Sequence, residues 1–465
     1  MNIPTVLALP YPAQGHVNPL MTLSQKLIEH GCKVLFVNTD FIHRRVLSSM
    51  VEHQDGHDHE SLLKLVSIPD GVGPDDDRND LGKLDETILR TMPATLEKFI
   101  EDVHGKGDDR ISLIVADVCM AWALDVASKL GIKGAVLSTR SASFFGLMCN
   151  IPVLIDDGII DSNYGLTLTT KKTLRISPSM LEMDTRDFFW LKMGDKINHV
   201  KVMDYLLHCI RRLHLTDWWL CNTIDELEPV TLSFIPKILL IGPLLRSDDD
   251  TSEATKSMGQ FWEKDLSCMS WLNQQPHRSV LYAAFGSFTL FDQNQFNELA
   301  LGLDFTNRHF LWVVRQDNKM AYPNEFLGSK GKIVDWAPQQ KVLSHPSIAC
   351  FVTHCGWNSI MKGLSNGVPL LCWPYFGDQL HNKTHICDEL KVGLGLESDE
   401  NGLVSRKELK NKVDQLLDDE NIISRSLELK EKLRNNLAKG GRAIVPPKID
   451  KLHLAFQPDK LSLGV

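Results

Sequence analysis

The stretch that decides the fold is residues 349–359, which read Ala-Cys-Phe-Val-Thr-His-Cys-Gly-Trp-Asn-Ser. Residues 349–353 are apolar and have the length of a buried parallel strand. A turn is expected at residues 355–356, after which Asn358 or Ser359 would cap a helix. Strand, tight turn and helix in this order predict one unit of an open parallel sheet covered by helices.

The same alternation of short apolar strands and amphipathic helices recurs in both halves of the chain. It predicts the α/β class, with two doubly wound, Rossmann-like domains facing each other across a cleft. The expected strands are 6–9, 33–38, 112–116, 134–137, 279–284, 310–315, 349–353 and 369–373, and the expected helices are 19–30, 122–130 and 294–306.

The domain boundaries follow from a change in composition. Residues 246–260 are polar and acidic with few large apolar side chains, as a surface linker would be. An N-terminal domain is therefore expected over residues 1–245 and a C-terminal domain over residues 261–465, with an atypical tail from about residue 442.

Composition limits the function classes. The chain has 465 residues, enough for two hydrophobic cores, and 43% hydrophobic with 23% charged residues is typical of a globular enzyme. A net charge of −9 argues against a nucleic-acid surface. The ten cysteines are scattered without a CxxC pair, so free thiols are expected. With no signal peptide and no apolar run long enough to span a bilayer, we expect a cytoplasmic monomer without integral membrane association.

The helix that follows strand 349–353 predicts an anion site. Its first backbone N–H groups and its positive dipole end suit a diphosphate. His354 would add a donor that can be charged, and Ser287, after strand 279–284, would add a hydroxyl. Trp336 offers a flat face on which a uracil ring could stack.

A second group of polar residues predicts a general base. His16 lies just before a helix expected to begin near Pro19, and the helix dipole there disfavours the imidazolium form. Asp117 follows the strand 112–116 and would orient the ring, so that the neutral imidazole could accept a proton.

These residues carry a resemblance to a known family. The segment from Trp336 to Gln379 resembles the signature box of plant family 1 UDP-dependent glycosyltransferases, which have the GT-B fold, and the similarity extends over nearly the whole chain. The resemblance implies that His16, within residues 12–19, is the catalytic base and Asp117 its partner.

The resemblance also implies a UDP-sugar site in the C-terminal domain and an acceptor site in the N-terminal domain. Trp336 would stack on uracil, Gln339 would approach the ribose, and Asp378 and Gln379 would bind sugar hydroxyls. Thr139 matches a position that reaches the donor sugar. The residues expected to bind UDP-sugar are Ser287, Trp336, Ala337, Gln339, His354, Gly356, Trp357, Asn358, Ser359, Lys362, Asp378 and Gln379, with His354, Asn358 and Ser359 holding phosphate. Phe144, Phe145, Met148, Phe188 and Phe189 either line an acceptor pocket or belong to the core.

The implied activity is inverting transfer of a sugar from UDP-sugar to a hydroxyl of a small lipophilic acceptor such as a flavonoid, another phenolic compound or a terpenoid. Glutamine at position 379 goes with glucose in the family, which makes UDP-glucose the expected co-substrate. No resident cofactor and no metal are expected. His53, His57 and His59 could suggest a metal site, but an acidic loop is the preferred interpretation.

Two departures from the family pattern bear on activity. Lys362 stands where relatives carry a glutamate that binds ribose hydroxyls, and it is expected in the first turns of a helix, where the dipole disfavours a cation. Weaker donor binding follows, and Lys362→Glu would tighten it about tenfold. The family normally has a closing helix at this point of the chain, and Pro446 and Pro447 cannot lie inside such a helix.

Two alternatives remain at this stage. A nucleotide-sugar epimerase or hydrolase of the same architecture is disfavoured by the signature box and by the pairing of His16 with Asp117. A catalytically weak protein that binds a nucleotide-sugar or another metabolite remains open, because of Lys362 and the altered tail.

Overall fold

The computed structural model describes residues 3–49, 62–73, 76–105, 110–162, 167–168, 173–174, 183–185, 188–192, 196–229, 238–245 and 259–439. The chain divides into two compact units, one comprising Met1–Phe261 with Leu437–Val465 and the other Trp262–Asn436. We call them unit 1 and unit 2. Most of the expected linker 246–260, the histidine-containing loop 51–61 and the tail from residue 440 lie outside the described residues.

Unit 1 is built on a parallel sheet. Its strands are β1 (Thr5–Leu9), β2 (Lys33–Thr39), β3 (Leu63–Ile68), β4 (Ile111–Asp117), β5 (Lys133–Ser138), β8 (Trp218–Cys221) and β9 (Ile238–Leu240), and β6 (Thr173–Leu174) pairs with β7 (Met183–Asp184) separately. The order in the described sheet is β3-β2-β1-β4-β5-β8-β9. The helices are α1 (Gln14–Glu29), α2 (Asp40–Ser48), α3 (Leu81–Gly105), α4 (Ala123–Lys129), α5 (Ala142–Asp156) and α6 (Lys196–Ile210).

Unit 2 repeats this plan. Its strands are β10 (Val280–Ala284), β11 (His309–Val313), β12 (Gly331–Val334), β13 (Ile348–Thr353), β14 (Leu370–Cys372) and β15 (Gly393–Gly395), in the order β12-β11-β10-β13-β14-β15. Its helices are α7 (Ser267–Leu272), α8 (Gln293–Phe305), α9 (Gln339–Ser344), α10 (Trp357–Ser365), α11 (Gln379–Thr384), α12 (Arg406–Asp418) and α13 (Glu420–Lys439).

Both sheets reverse direction at an equivalent place. The chain runs outward from β1 to β3 and returns on the other side of β1 as β4, and β10 and β13 are related in the same way. All pairings in these two sheets are parallel. Ligands of open parallel sheets bind beyond the carboxyl ends of the strands at such a reversal. The predicted class of two doubly wound α/β domains is confirmed.

The start of α1 differs from the prediction. The helix begins at Gln14 rather than near Pro19, so His16 lies in its first turn and not in a preceding loop. The amides of His16 and Val17 donate to the Ala13 carbonyl at 2.9 Å, which closes the first turn ahead of the proline. Pro19 lacks an N–H and crowds the carbonyl four residues earlier, but the hydrogen bonds of the first turn do not use its nitrogen, so the residues before it can be helical. The other predicted elements agree with the structure to within two residues.

Two further expectations concern cysteines and membranes. All ten cysteines lie in the described part of the chain and all are free thiols, as predicted. Within the described residues, no helix combines the length and the apolar character needed to cross a bilayer.

Candidate active site

The carboxyl end of β4 and the first turn of α1 bring His16 and Asp117 together. His16 Nδ1 lies 2.7 Å from Asp117 Oδ2, and the Asp117 side chain is fully buried. The other carboxylate oxygen, Oδ1, accepts a hydrogen bond of 2.8 Å from the Cys119 amide. Asp117 is therefore fixed by the backbone and in turn fixes the imidazole.

This contact determines which nitrogen of His16 is available for chemistry. A carboxylate only accepts hydrogen bonds, so we infer that Nδ1 carries the proton and that Nε2 holds the lone pair. The Thr139 hydroxyl also lies 3.3 Å from Nδ1, and Thr139 is buried at the end of β5. The histidine side chain is 15% exposed.

A buried polar pair that the sequence reasoning missed lies beside His16. The Tyr11 ring is 5.3 Å from the imidazole, and its hydroxyl donates to Asp85 Oδ1 at 2.8 Å. Burial raises the pKa of Asp85 to about 8, against the opposing effects of the Tyr11 hydrogen bond and the charge of Arg140. Asp85 lies 74 positions after Tyr11 in the sequence, and the packing of α3 against the sheet brings the two side chains together.

In unit 2 the turn after β13 places His354 between two glycines. A Cβ added at Gly286 or at Gly356 would lie 2.5 Å from His354 Nε2, which is closer than real contacts allow. Gly286 also has a positive φ of 71°, which favours glycine. The turn of β10, the turn of β13 and the imidazole are thus packed as one group.

Two expectations about this turn are corrected. The residue that caps α10 is Gly356, without a side-chain cap, and Asn358 and Ser359 lie inside its first turn. His354 is a neutral donor at physiological pH rather than a charged one, because burial lowers its pKa to about 4. The Ala284 backbone opposes that shift and the charge of Arg315 supports it.

The helix start still has the features of an anion site. Asn358 and Ser359 are half-buried at the N-terminus of the nine-residue α10. The Trp357 indole is 2% exposed, so a ligand would contact this residue only through its backbone. The nearby Ser287 is half-buried in the turn after β10.

The position of Lys362 also corrects the sequence-based expectation. Lys362 lies in the last turn of α10, where the helix dipole favours a cation, and not in the first turns. Its Nζ donates to Gln339 Oε1 at 3.2 Å, and the Ser359 hydroxyl donates to the same oxygen at 3.3 Å. Two donors thus hold the Gln339 amide oxygen, and the lysine has an ordered role beside the signature residues.

Trp336 is half-buried after β12, with Ala337 buried beside it. Its ring centroid is 4.6 Å from that of Trp262 at an angle of 30°, and the Arg315 guanidinium carbon is 5.9 Å from the Trp262 ring. Neither Trp262 nor Arg315 was predicted to belong to the site. The signal for Arg315 was a cation two residues after the end of the apolar strand β11.

The last two signature residues are held by hydrogen bonds, Gln379 from two backbone amides and Asp378 from a side-chain amide. Gln379 Oε1 accepts from the amides of Tyr375 at 2.8 Å and Phe376 at 3.0 Å. Asp378 Oδ2 accepts from Asn382 Nδ2 at 2.8 Å. Both side chains are therefore oriented before any ligand binds.

The five apolar residues named for an acceptor pocket are buried in unit 1. Phe144 packs on Phe189 with ring centroids 4.8 Å apart, and Phe145 packs edge-on against Trp219 at 5.4 Å. Four of the five belong to one hydrophobic cluster between α5 and α6: Phe144, Met148, Phe188 and Phe189. In this structure they serve as core.

A metal site would need several His, Cys, Asp or Glu side chains close together in the described ranges. No group of three or more His, Cys, Asp or Glu side chains there is arranged to hold a metal ion. The histidines His53, His57 and His59 fall outside those ranges.

Comparisons with known proteins agree with this geometry. Residues 257–432 match the family model described as UDP-glucoronosyl and UDP-glucosyl transferase. The chain is 41% identical over 446 residues to UDP-glycosyltransferase 83A1 of Arabidopsis thaliana, covering 95% of this chain and 94% of that protein.

Solved structures show the same fold. A UDP-glucosyltransferase from Polygonum tinctorium capable of glucosylating indoxyl matches with a TM-score of 0.81 and 25% identity, over 98% of this chain and 99% of that one. Os79 from O. sativa, in complex with UDP, matches with a TM-score of 0.79 and 23% identity, over 97% and 100%. Because 41% identity to a named enzyme extends over almost the whole length, the chain belongs to plant family 1 of the UDP-dependent glycosyltransferases.

Proposed function

We propose that this UDP-glycosyltransferase transfers glucose from UDP-glucose, with inversion at the anomeric carbon, to a hydroxyl of a small lipophilic acceptor such as a flavonoid, another phenolic compound or a terpenoid. The observation that carries the proposal is the 2.7 Å contact between His16 Nδ1 and the buried Asp117 carboxylate. It leaves Nε2 as a base for an acceptor hydroxyl.

The proposed reaction is a single displacement. His16 Nε2 removes the proton of the acceptor hydroxyl, its oxygen attacks the anomeric carbon, and the bond to UDP breaks on the opposite face. Asp117 stabilises the imidazolium that forms, because its carboxylate is already hydrogen-bonded to Nδ1. The leaving diphosphate carries away the electron pair of the broken bond.

Stabilisation of that diphosphate is assigned to unit 2. The N-terminus of α10 offers backbone N–H groups with the side chains of Asn358 and Ser359. With a pKa of about 4, His354 contributes as a neutral hydrogen-bond donor. Preorganised donors of this kind stabilise developing charge without reorganising during the reaction.

The choice of glucose rests on Gln379. Its amide oxygen already accepts two backbone N–H groups, so its NH₂ group points the other way and is the part offered to a sugar. A fixed donor in Gln379 and a fixed acceptor in Asp378 distinguish hydroxyls by direction, and galactose differs from glucose in the direction of one hydroxyl. The Polygonum tinctorium relative, named as a glucosyltransferase, supports the same donor.

The lipophilic acceptor is supported by the start of α5. This helix begins at Ala142, just after Thr139, whose hydroxyl lies 3.3 Å from His16 Nδ1. Its buried residues are apolar over most of its length. An acceptor held next to the base would meet this helix.

The test measures UDP release with UDP-glucose, UDP-galactose and UDP-glucuronate at equal concentrations against a panel of phenolic and terpenoid acceptors. We expect UDP-glucose to give the fastest acceptor-dependent release. A dominant galactosyl or glucuronosyl product would contradict the assignment of the sugar. UDP binding without turnover on any acceptor would instead favour a nucleotide-sugar-binding protein with little catalysis.

A further inference from the structure

One buried side chain in unit 2 joins the phosphate turn to the sugar-binding carboxylate. The Asn382 side chain, on α11, is fully buried. Its Nδ2 donates to the Cys355 carbonyl at 3.0 Å and to Asp378 Oδ2 at 2.8 Å. An amide nitrogen has two hydrogens, so each of these contacts takes one of them.

The first contact supports a turn that a non-glycine residue adopts reluctantly. Cys355 has a φ of 66°, in the left-handed region, and it is fully buried. Its amide donates to the Thr353 hydroxyl at 3.2 Å while its carbonyl accepts from Asn382. The left-handed conformation is strained for a residue with a Cβ and persists only where its surroundings hold it.

This turn decides where the phosphate donors point. It is followed directly by Gly356, which caps α10, and it carries His354, whose ring fits against Gly356. Rotation of the Cys355 carbonyl away from Asn382 would tilt the first N–H groups of the helix. The direction of those groups is what an anion site depends on.

The second contact fixes the carboxylate. The Asn382 amide also donates to the Asp378 carbonyl at 2.9 Å, so backbone and side chain of the asparagine both bind the same residue. One oxygen of the Asp378 carboxylate is thereby held in a set direction. Without Nδ2, the carbonyl of the buried Cys355 and the half-buried Asp378 carboxylate would lose a donor at once, which costs more than the loss of an exposed hydrogen bond.

We propose that Asn382 is a positioning residue that couples the His354–Cys355–Gly356 turn to Asp378, so that diphosphate binding and sugar recognition reinforce each other. The inference rests on the proposed donor site. It predicts that a change at Asn382, which touches no substrate in this scheme, alters both UDP affinity and the discrimination between hexoses.

The experiment compares Asn382→Ala with Gln295→Ala in the full-length protein. Gln295, on α8, is a matched control because it is also a buried amide side chain of unit 2. Its Nε2 donates to the Val404 carbonyl and its Oε1 accepts from the Val404 amide, both at 2.9 Å, away from the turn. We expect Asn382→Ala to weaken UDP binding about tenfold and to lower the ratio of kcat/KM for UDP-glucose over UDP-galactose at least about tenfold. Gln295→Ala should lower Tm by a similar amount and leave both quantities unchanged.

A double-mutant cycle measures the coupling itself. If Asn382 acts through Asp378, the losses caused by Asn382→Ala and Asp378→Asn should be strongly non-additive in the hexose ratio. Additive losses, or an Asn382→Ala variant that behaves like Gln295→Ala, would overturn the inference and leave the proposed function intact. A wild-type protein that neither binds nor consumes UDP-glucose would instead refute the proposed function.

Asn382→Asp gives an independent readout that does not require the alanine variant to fold. An ionised carboxylate at this place would repel both Asp378 and the Cys355 carbonyl, whereas a protonated one donates again. We expect its relative UDP affinity, compared with wild type, to recover as the pH falls. A relative affinity that does not change with pH would contradict the donor role.

Discussion

At the scale of single residues, the site depends on contacts that hold a side chain in one orientation. Asp117 binds the Cys119 amide with one oxygen and His16 with the other. Gln379 is held by two backbone amides, and Gln339 by Lys362 and Ser359. Orientation set before binding lowers the entropy that substrate binding must offset.

His16→Ala tests the base. We expect turnover to fall by about 10²-fold or more, because that is the usual contribution of a positioned general base. UDP affinity should not change, since the donor contacts proposed above belong to unit 2. Steady-state kinetics and calorimetry separate the two quantities.

His30→Ala is a matched control, because His30 caps the other end of the same helix. The His30→Ala variant should have the turnover of the wild type. Asp117→Asn should also slow turnover, because an amide N–H facing Nδ1 selects the wrong tautomer. Near-normal turnover in His16→Ala would remove this residue from the mechanism.

Lys362→Met tests the corrected account of the lysine. Its ammonium donates to Gln339 and lies at the favourable end of α10, so its loss should weaken UDP binding about threefold to tenfold. Lys362→Glu should now weaken binding as well, and the tightening expected from the sequence no longer follows. Calorimetric titration with UDP measures both variants.

Lys410→Met is the control for charge. Lys410 pairs with Asp414 on α12, in the same unit and away from Gln339. The Lys410→Met substitution removes one positive charge from unit 2 and should leave UDP affinity unchanged. Tighter UDP binding by Lys362→Glu would restore the original expectation.

At the scale of elements, the site is made where strands end and turns begin. His354 follows β13 and fits against Gly286, which follows β10. In the other sheet, Asp117 is the last residue of β4, and Thr139 directly follows the neighbouring strand β5. Short turns of this kind leave little space for an added side chain.

Gly286→Ala should therefore lose UDP affinity as well as stability. The new Cβ would lie 2.5 Å from His354 Nε2, and the φ of 71° adds backbone strain. Gly402→Ala isolates the strain, because Gly402 has a φ of 83° and open space around its Cα. The control should cost about 1 kcal/mol of stability and leave UDP binding unchanged.

Thermal unfolding and UDP titration of both variants decide the matter. Equal effects of Gly286→Ala and Gly402→Ala on Tm, with unchanged UDP affinity in both, would show that the His354 imidazole does not pack against Gly286 as described. A larger loss of both quantities in Gly286→Ala is the expected result.

Features set by local sequence patterns could be predicted from the sequence, whereas most contacts between residues distant in the chain could not. Strand and helix positions followed from local apolar patterns, and the approach of His16 to Asp117 followed from the parallel sheet, since strand ends meet at one edge. The start of α1 was missed because a proline is read as a helix boundary. Asp85 and Asn382 were missed because only tertiary packing makes them partners of Tyr11 and Cys355.

At the scale of the whole molecule, ionisable groups whose pKa is shifted by burial make stability depend on pH, and the sign of the effect differs from group to group. In unit 2, burial lowers the pKa of His354 and His381 to about 4 from 6.5. For His381 the nearby His385 supports that shift and Glu389 opposes it. The unfolded chain binds more protons between pH 4 and 6.5, so unit 2 loses stability as the pH falls through this window.

Unit 1 contains a group with the opposite sign. Burial raises the pKa of Asp85 from 3.8 to about 8, with Tyr11 and Arg140 opposing. The unfolded chain therefore binds fewer protons than the folded one between pH 3.8 and 8, and this carboxyl makes unit 1 less stable as the pH rises through the window.

Differences in Tm between variant and wild type test these signs. Asp85→Asn preserves an acceptor for the Tyr11 hydroxyl, and its Tm relative to wild type should increase steadily from pH 4 to pH 8. His381→Asn should gain relative to wild type as the pH falls from 6.5 to 4. Tm differences that do not change with pH would show that neither Asp85 nor His381 titrates as its surroundings indicate.

The division into two units, each with its own sheet and its own reversal point, has a consequence for evolution. The family model covers residues 257–432, which is nearly the extent of unit 2, whereas the proposed base, His16, belongs to unit 1. Under the proposed function, substitutions in unit 1 can change what is glycosylated while the proposed nucleotide-sugar contacts in unit 2 are inherited unaltered. A lineage that duplicates this gene can explore new products without first re-inventing the means of binding its sugar donor.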